Sequence, residues 1–268
     1  MRAIRLVAGA VFRESIRDRV PFGMVIFATI LMAASFLVAQ LTAGQDMKII
    51  KDLGLAALSI FGLLIAVFIG IGLVSKEVER KSVYGLLTKP VSREQFILGK
   101  YAGLVFTLIA NMAAMTVVLY GVLFYMNAGT PEAVRATWPA PATDPRLLVA
   151  VGLMLAQLMV VTALALFFST FSSPLLSTLL TLGLWTAGHF NDDLRQFNQV
   201  VDVPVAAWIA KALYYVLPNL APFDIKAEVV YGMPVSTTQV AYTLAYAGLY
   251  ISILLLGAIA IFRRRDFK

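Results

Sequence analysis

Residues 75–100 of the chain read SKEVERKSVYGLLTKPVSREQFILGK, a compact charged segment between two long apolar runs. Only 14% of the 268 residues are charged, whereas 60% are hydrophobic, above the roughly 45 to 50% typical of soluble domains. This composition places the chain in a membrane. The charged segment is then a loop at one membrane face, and we predict that it docks another protein.

The apolar runs around this loop predict an all-α integral membrane protein with one transmembrane domain, 1–268. A helix needs about 20 apolar residues to cross the bilayer core. The run at 147–191 is about twice that length, and its centre, STFSSP at 169–174, favours ending one helix and beginning another. A helical hairpin there brings the total to six. The six predicted spans are 21–43, 53–74, 101–126, 147–170, 174–190 and 238–262.

Six spans place both termini on one side of the membrane, and the basic residues indicate which side. The terminal segments and the loop at 75–100 carry fifteen of the 22 Lys and Arg residues and six acidic residues, whereas the opposite loops carry seven basic and nine acidic residues. The net charge is therefore +9 against −2, and the positive-inside rule predicts cytoplasmic termini. The overall charge of +7 then reports orientation, and no nucleic-acid partner is expected.

Two amphipathic helices are predicted outside the spans. In residues 1–20, Ile4, Val7 and Val11 lie opposite several arginines, which favours an elbow helix along the inner membrane surface. The alternative is a basic flank that only sets orientation. The segment 191–237 is predicted to be extracytoplasmic, with a short interfacial helix at 205–217 that is too short to cross. That helix either closes the outer end of a translocation path or only packs at the interface.

The charged loop itself predicts a helix, a turn and a second helix. The first helix covers 76–87 and ends before the proline of TKP at 88–90. Ser92 and Gln95 fit a capping box, so the second helix begins at Ser92 and continues into the third span. The result is a rigid step that protrudes into the cytoplasm. The alternative is a short loop whose charges only set the topology.

At these residues the chain resembles the permeases of type-2 ABC exporters, in particular those associated with the maturation of multicopper enzymes. In that family the loop reads approximately as an acidic residue, glycine-threonine, a leucine-rich helix and Lys/Arg-Pro-Val-Ser-Arg. Glu79, Ser82 and the segment 89–93 take the matching places here, while Lys81 and Gly85 depart from the usual glycine and aliphatic residue. The six-span topology extends the resemblance over most of the chain.

The resemblance implies a permease subunit in a bacterial or archaeal cytoplasmic (inner) membrane. Its implied partners are two copies of a cytoplasmic ATPase that binds ATP and Mg²⁺, a second permease subunit in a homodimer or heterodimer, the lipid bilayer, and in some cases an extracytoplasmic accessory protein. The implied function is to couple ATP hydrolysis to export of a substrate. The alternative is an anchor or scaffold that transmits mechanical work to an extracytoplasmic complex. The implied ATPase-coupling residues are Glu77, Glu79, Arg80, Lys81, Ser82, Leu86, Leu87, Pro90 and Arg93.

The residues themselves predict no enzyme. A phosphate-binding loop needs a glycine five residues before Gly99-Lys100, and Glu94 stands there. The absence of cysteine excludes disulfides and thiolate chemistry. His189 is the single histidine, so neither a metal site nor an intramembrane hydrolase is favoured, and we expect no metal, no cofactor and no catalytic residue in this chain.

Two amides inside the apolar runs are the remaining candidate sites. Asn111 and Gln157 lie near the middle of the third and fourth spans, where a buried amide needs a partner. Contact between helices and contact with substrate are the two interpretations. Gly99 and Gly103 also form a small-xxx-small pair, which favours close helix packing at the start of the third span.

Overall fold

The computed structural model describes residues 2–40, 46–79, 92–190 and 217–264 of the chain. These residues form helices joined by short turns, which confirms the all-α prediction. The helices are α1 (Arg2–Arg17), α2 (Arg19–Gln40), α3 (Asp46–Glu79), α4 (Arg93–Gly129), α5 (Glu132–Arg135), α6 (Arg146–Ser169), α7 (Pro174–His189), α8 (Lys226–Val230) and α9 (Thr237–Arg264). A 3-10 turn covers Ala221–Phe223.

Five of these helices are long and apolar enough to cross a membrane, namely α2, α3, α4, α6 and α9. They coincide with five of the six predicted spans, so the chain is a multi-pass integral membrane protein. The helix of the remaining predicted span, α7, has 16 residues. At 1.5 Å per residue it is about 24 Å long, which is shorter than a hydrocarbon core of about 30 Å.

The centre of the bundle is formed by α3, α4 and α6, which pack at very short range. A Cβ atom added at Gly54 would overlap Leu119 of α4, and one added at Gly62 would meet both Leu158 of α6 and Met112 of α4. The glycines of α3 therefore leave room for side chains of the two neighbouring helices. Lipid offers no hydrophobic drive for helices to associate, so such close contacts supply the van der Waals energy that holds membrane helices together.

The N-terminal helix α1 is docked against the beginning of α4. A Cβ at Gly103 would lie 2.7 Å from the Ala8 carbonyl oxygen, and one at Gly99 would lie 2.7 Å from Val7 Cβ. Val11 is buried on the same side of α1. The glycine pair is therefore the place where the elbow helix meets the third span, with backbone almost touching backbone.

The junction between α1 and α2 lies at Asp18, slightly before the predicted turn at Pro21. The Asp18 carboxylate accepts a hydrogen bond of 3.1 Å from the Val20 amide, which caps the new helix. Pro21 then falls in the first turn of α2, where its missing N–H group needs no partner. The chain thus bends by ending one helix and capping the next.

The bundle has two distinct ends. We call the end that carries α1, the start of α4 and the end of α9 the terminal face; it is the side predicted to be cytoplasmic. At the opposite face, basic side chains hold the loops by their carbonyl groups. Lys51 is fully buried and donates a 2.7 Å hydrogen bond to the Pro141 carbonyl, while Arg146 donates a 3.0 Å bond to the Gly232 carbonyl.

We predict that Gly103→Ala lowers the free energy of unfolding by about 1 to 3 kcal/mol, the usual cost of overpacking, because the new methyl group meets the fixed Ala8 carbonyl. The matched control is Gly121→Ala in the same helix, where nothing lies within 4 Å of an added Cβ. That variant should be neutral or more stable by up to about 1 kcal/mol. Thermal unfolding of the purified protein measures both; equal stabilities would contradict the α1–α4 contact.

Candidate functional site

The predicted ATPase-coupling segment lies at the terminal face, and most of it falls outside the described residues. Arg80, Lys81, Ser82, Leu86, Leu87 and Pro90 belong to that undescribed part. Glu77 and Glu79 lie in the last turns of α3, which continues from its span without a break. The roles of these residues therefore stay predictions. What the structure describes is how the segment joins the two long helices on either side of it.

The second helix of the predicted step begins as the sequence indicated. Ser92 is the N-cap of α4: its hydroxyl accepts a hydrogen bond from the Gln95 amide, and the Gln95 side chain accepts one from the Ser92 amide. These two reciprocal bonds form the predicted capping box. They fix the end of the coupling segment directly onto a helix of 37 residues.

The start of α4 is also fastened to the end of α9. Arg93 donates hydrogen bonds of 3.2 and 2.9 Å to the carbonyl oxygens of Phe262 and Arg263. The last carbonyls of a helix have no hydrogen-bond partners within the helix, and they form the negative end of its dipole. A guanidinium at this position therefore supplies the missing hydrogen bonds and is also attracted by the dipole. Glu94 pairs with Arg263, with 2.6 Å between Oε1 and Nη2, and the rings of Phe96 and Phe262 stack 5.9 Å apart.

These five residues, Arg93, Glu94, Phe96, Phe262 and Arg263, form what we call the terminal clamp. Behind them Ile97, Leu255 and Ala258 are buried in one apolar cluster, so the clamp is backed by a packed helix contact. Sequence reasoning assigned Arg93 to the ATPase surface and missed this contact within the chain. The sequence shows a basic residue at the start of one helix and a Phe-Arg-Arg-Arg segment near the end of another, but nothing in either pattern indicates that the two are in contact.

The predicted hairpin between 147–170 and 174–190 is present. α6 ends at Ser169, and Ser173 caps α7, whose first residue is Pro174. The hydroxyl groups of Ser172 and Ser177 lie 2.7 Å apart across the turn. Small hydroxyl residues before a proline thus end one helix and start the next, for the local reasons the sequence suggested.

The far end of α7 stops near the middle of the bundle. His189 Nε2 lies 2.8 Å from Nε2 of Gln157, which sits about half-way along α6. α7 starts beside the end of α6, and the side chain at its other end contacts the residue half-way along α6. The prediction of a helix at 174–190 is therefore confirmed, and the prediction that it crosses the membrane stays a prediction.

Residues 217–236 lie between the end of α7 and the opposite face. The Leu220 amide donates a 2.9 Å hydrogen bond to the Gly188 carbonyl at the end of α7. The Asn219 amide donates one of 2.9 Å to the hydroxyl of Tyr246, about 14 Å along α9 from Thr237. Residues 217–223 thus reach the depth of the end of α7, and 224–236 return to the opposite face. We call this meeting point the mid-depth junction.

The extracytoplasmic segment was predicted to contain a short interfacial helix at 205–217, and most of that range lies outside the described residues. Its last residue, Leu217, is buried and belongs to no helix. The mid-depth junction was not foreseen, although Tyr246 gave a signal for it. A hydroxyl-bearing side chain in the middle of an apolar span needs a partner, and that partner proves to be backbone.

The two candidate amides behave differently. Gln157 is buried and joins two helices through His189, whose other ring nitrogen lies 2.8 Å from the Trp185 carbonyl oxygen. A carbonyl only accepts, so Nδ1 carries the proton and Nε2 accepts from the Gln157 amide. Asn111 is half-exposed, and its amide donates to the Thr107 carbonyl of its own helix, 2.8 Å away. It makes no hydrogen bond to another helix among the described residues.

A groove of about 520 Å³ runs along α9 from the opposite face towards the mid-depth junction. Ser236, Gln239, Tyr242, Thr243 and Tyr246 of the α9 side face Asn219 and Pro222 across it. Its lining carries hydroxyl, amide and aromatic groups and no charged side chain. A groove of this kind suits an uncharged polar or amphipathic molecule, and one of its walls is the helix that the terminal clamp holds.

A family model described as ABC-2 family transporter protein matches residues 6–267 of this sequence. No curated protein matches the chain. The family match covers the elbow helix, the spans, the mid-depth junction and the terminal clamp together.

We predict that a spin label on a single cysteine at Phe190, which is 58% exposed, reports a depth near the bilayer centre. The chain has no cysteine of its own, so labelling is specific. Oxygen and a polar nickel chelate compete as relaxation agents and measure the depth in liposomes. The deep reference is Ala113→Cys: its neighbour Met112 lies at the same level as Leu158, since both would meet a Cβ at Gly62. The shallow reference is Ala128→Cys, close to the end of α4. A reading at Phe190 equal to that at Ala128 would contradict an end of α7 at the level of Gln157.

Proposed function

Since the chain belongs to the ABC-2 family of transporter proteins, and is therefore a permease subunit of an ABC transporter, we propose that it couples ATP hydrolysis by a separate cytoplasmic ATPase to export of a substrate. In the proposed assembly two permease subunits, identical or related, pair in a bacterial or archaeal cytoplasmic membrane, and two ATPase subunits bind on the terminal face. Both termini are then cytoplasmic. An extracytoplasmic accessory protein would join on the opposite face.

The observation that carries this proposal is the terminal clamp. The coupling segment connects the end of α3 to the start of α4, and the clamp fastens the start of α4 to the end of α9. Any force applied to that segment therefore reaches three membrane-crossing helices at once. A loop held this way suits a device that receives work from a partner, whereas a loop that only sets topology would need no such attachment.

The same helices connect the terminal face to the groove. α9 carries the clamp residues Phe262 and Arg263 near one end. Nearer its other end it forms one wall of the groove, and its Tyr246 hydroxyl accepts a hydrogen bond from the Asn219 amide. The facing wall belongs to residues 219–222, which are tied to the end of α7 through Gly188. A tilt of α9 relative to α7 would therefore widen or narrow the groove.

ATP binding by the partner favours either the wide or the narrow groove, and hydrolysis ends that preference. The reason is that a ligand shifts a conformational equilibrium only by binding the two states with different affinity. We assign contact with the ATPase to the segment from Glu77 to Pro90, where charged residues at 77–81 precede Leu86 and Leu87. Arg93 then passes the movement on to α9 through the two carbonyls that it binds.

We predict that Arg80→Glu combined with Lys81→Glu weakens binding of the ATPase about tenfold or more, because two favourable charges at the docking surface become repulsive. Co-purification of the ATPase with the tagged permease measures the effect. The control is Arg135→Glu, an exposed arginine at the opposite face. Undiminished recovery of the ATPase with the double variant would show that the segment is not the main docking surface.

A further inference from the structure

A second groove, of about 580 Å³, lies between α1 and α4 beside their point of contact. At Gly99 and Gly103 the two backbones almost touch, whereas next to this contact larger side chains hold the helices apart. Phe12 of α1 and Phe106 and Ile109 of α4 form the sides of the groove. The side chains of Phe106 and Ile109 are 57% and 40% exposed, so the groove opens outwards along the bundle surface that faces lipid.

The groove is charged at one end and apolar at the other. Its one charged lining residue is Arg5. The carbonyl oxygen of the preceding residue, Ile4, lies 3.1 Å from a Cβ placed at Gly99. Arg5 is therefore level with Gly99, near the terminal face. Ile109 and Ala110 line the deep end, about 15 Å further along α4 towards the bilayer centre. This direction is that of a lipid in a membrane, with its headgroup at the surface and its acyl chain inside.

The Arg5 side chain is exposed and makes no hydrogen bond or ion pair in the part of the chain that the structure describes. A guanidinium binds the oxygens of a phosphate group through two parallel hydrogen bonds and is always charged. A phosphate at the membrane surface would satisfy this group, while apolar chains cover Phe106 and Ile109. Charge and shape thus point to the same occupant.

We propose that this groove is a binding site for one phospholipid of the leaflet at the terminal face. The lipid phosphate binds Arg5, and one acyl chain lies along Phe106 and Ile109. An anionic headgroup is favoured, because the charge of Arg5 is not balanced by an acidic lining residue. A water-soluble partner would not reach Ile109 within the hydrocarbon, and a second copy of the chain would leave Arg5 without an anion. The bound lipid would cover the line where the elbow helix meets its span.

The test is native mass spectrometry of the full chain in detergent, titrated with phosphatidylglycerol and with phosphatidylcholine. The unchanged protein should retain one phosphatidylglycerol in preference to phosphatidylcholine. Arg5→Gln should lower the affinity for phosphatidylglycerol about tenfold, the loss expected for a charge-assisted hydrogen bond. The matched control is Arg13→Gln, an exposed arginine of the same helix that does not line the groove and should leave the affinity nearly unchanged.

A second pair of variants tests the acyl part of the site while Arg5 stays intact. Ala110→Phe fills the deep end of the groove and should displace the lipid, whereas Ala113→Phe, at an exposed position of α4 outside the groove, should not. Equal losses for Arg5→Gln and Arg13→Gln would overturn the proposal in favour of diffuse surface charge. Unchanged lipid binding with altered dimerisation or ATPase recovery would overturn it in favour of a protein contact.

Discussion

Inside a bilayer a backbone N–H or C=O group without a partner costs several kcal/mol, and this cost decides where the chain can leave a helix. Five helices are long and apolar enough to avoid the cost by crossing the membrane without a break. After α7 the helix is broken, and the free backbone groups at this break are paired inside the protein. The Gly188 carbonyl accepts from Leu220, and the Asn219 amide donates to Tyr246. Close to this break lies the pair formed by Gln157 and His189. The mid-depth junction therefore supplies the hydrogen bonds that an unbroken helix would have supplied itself.

The rest of the bundle is held by close packing and hydrogen bonds, which do not depend on the hydrophobic effect. Glycine brings α3 against α4 and α6, and it brings α1 against α4. At the opposite face the cations Lys51 and Arg146 bind loop carbonyls, which gives the proline-rich loop a fixed shape without disulfides. At the terminal face Arg93 does the same for the end of α9. The same chemistry, a long cationic side chain on exposed carbonyls, thus closes both ends of the bundle.

Sequence reasoning succeeded where the cause is local. The length of an apolar run, the capping box at Ser92 and the hydroxyl-proline turn before Pro174 each depend on a few neighbouring residues, and all appear in the structure. It did not foresee the mid-depth junction, because an apolar run does not say which groups meet at the end of its helix. It also missed the clamp, since Arg93 and Phe262 are 169 residues apart and neither residue is unusual for its place.

In the proposed function, one helix of the permease joins the end that the ATPase contacts to the groove. The direct test is the distance between spin labels at Phe190→Cys and Tyr242→Cys, at the end of α7 and on the α9 wall, with the ATPase bound and ATP added. The ion pair between Glu94 and Arg263 can be broken by mutation without unfolding the protein, because both side chains are exposed and contribute little to stability. The account predicts an ATP-dependent change in distance that is lost in Arg263→Glu and restored when Glu94→Arg is added. The same change in all three proteins, with the ATPase bound throughout, would contradict it.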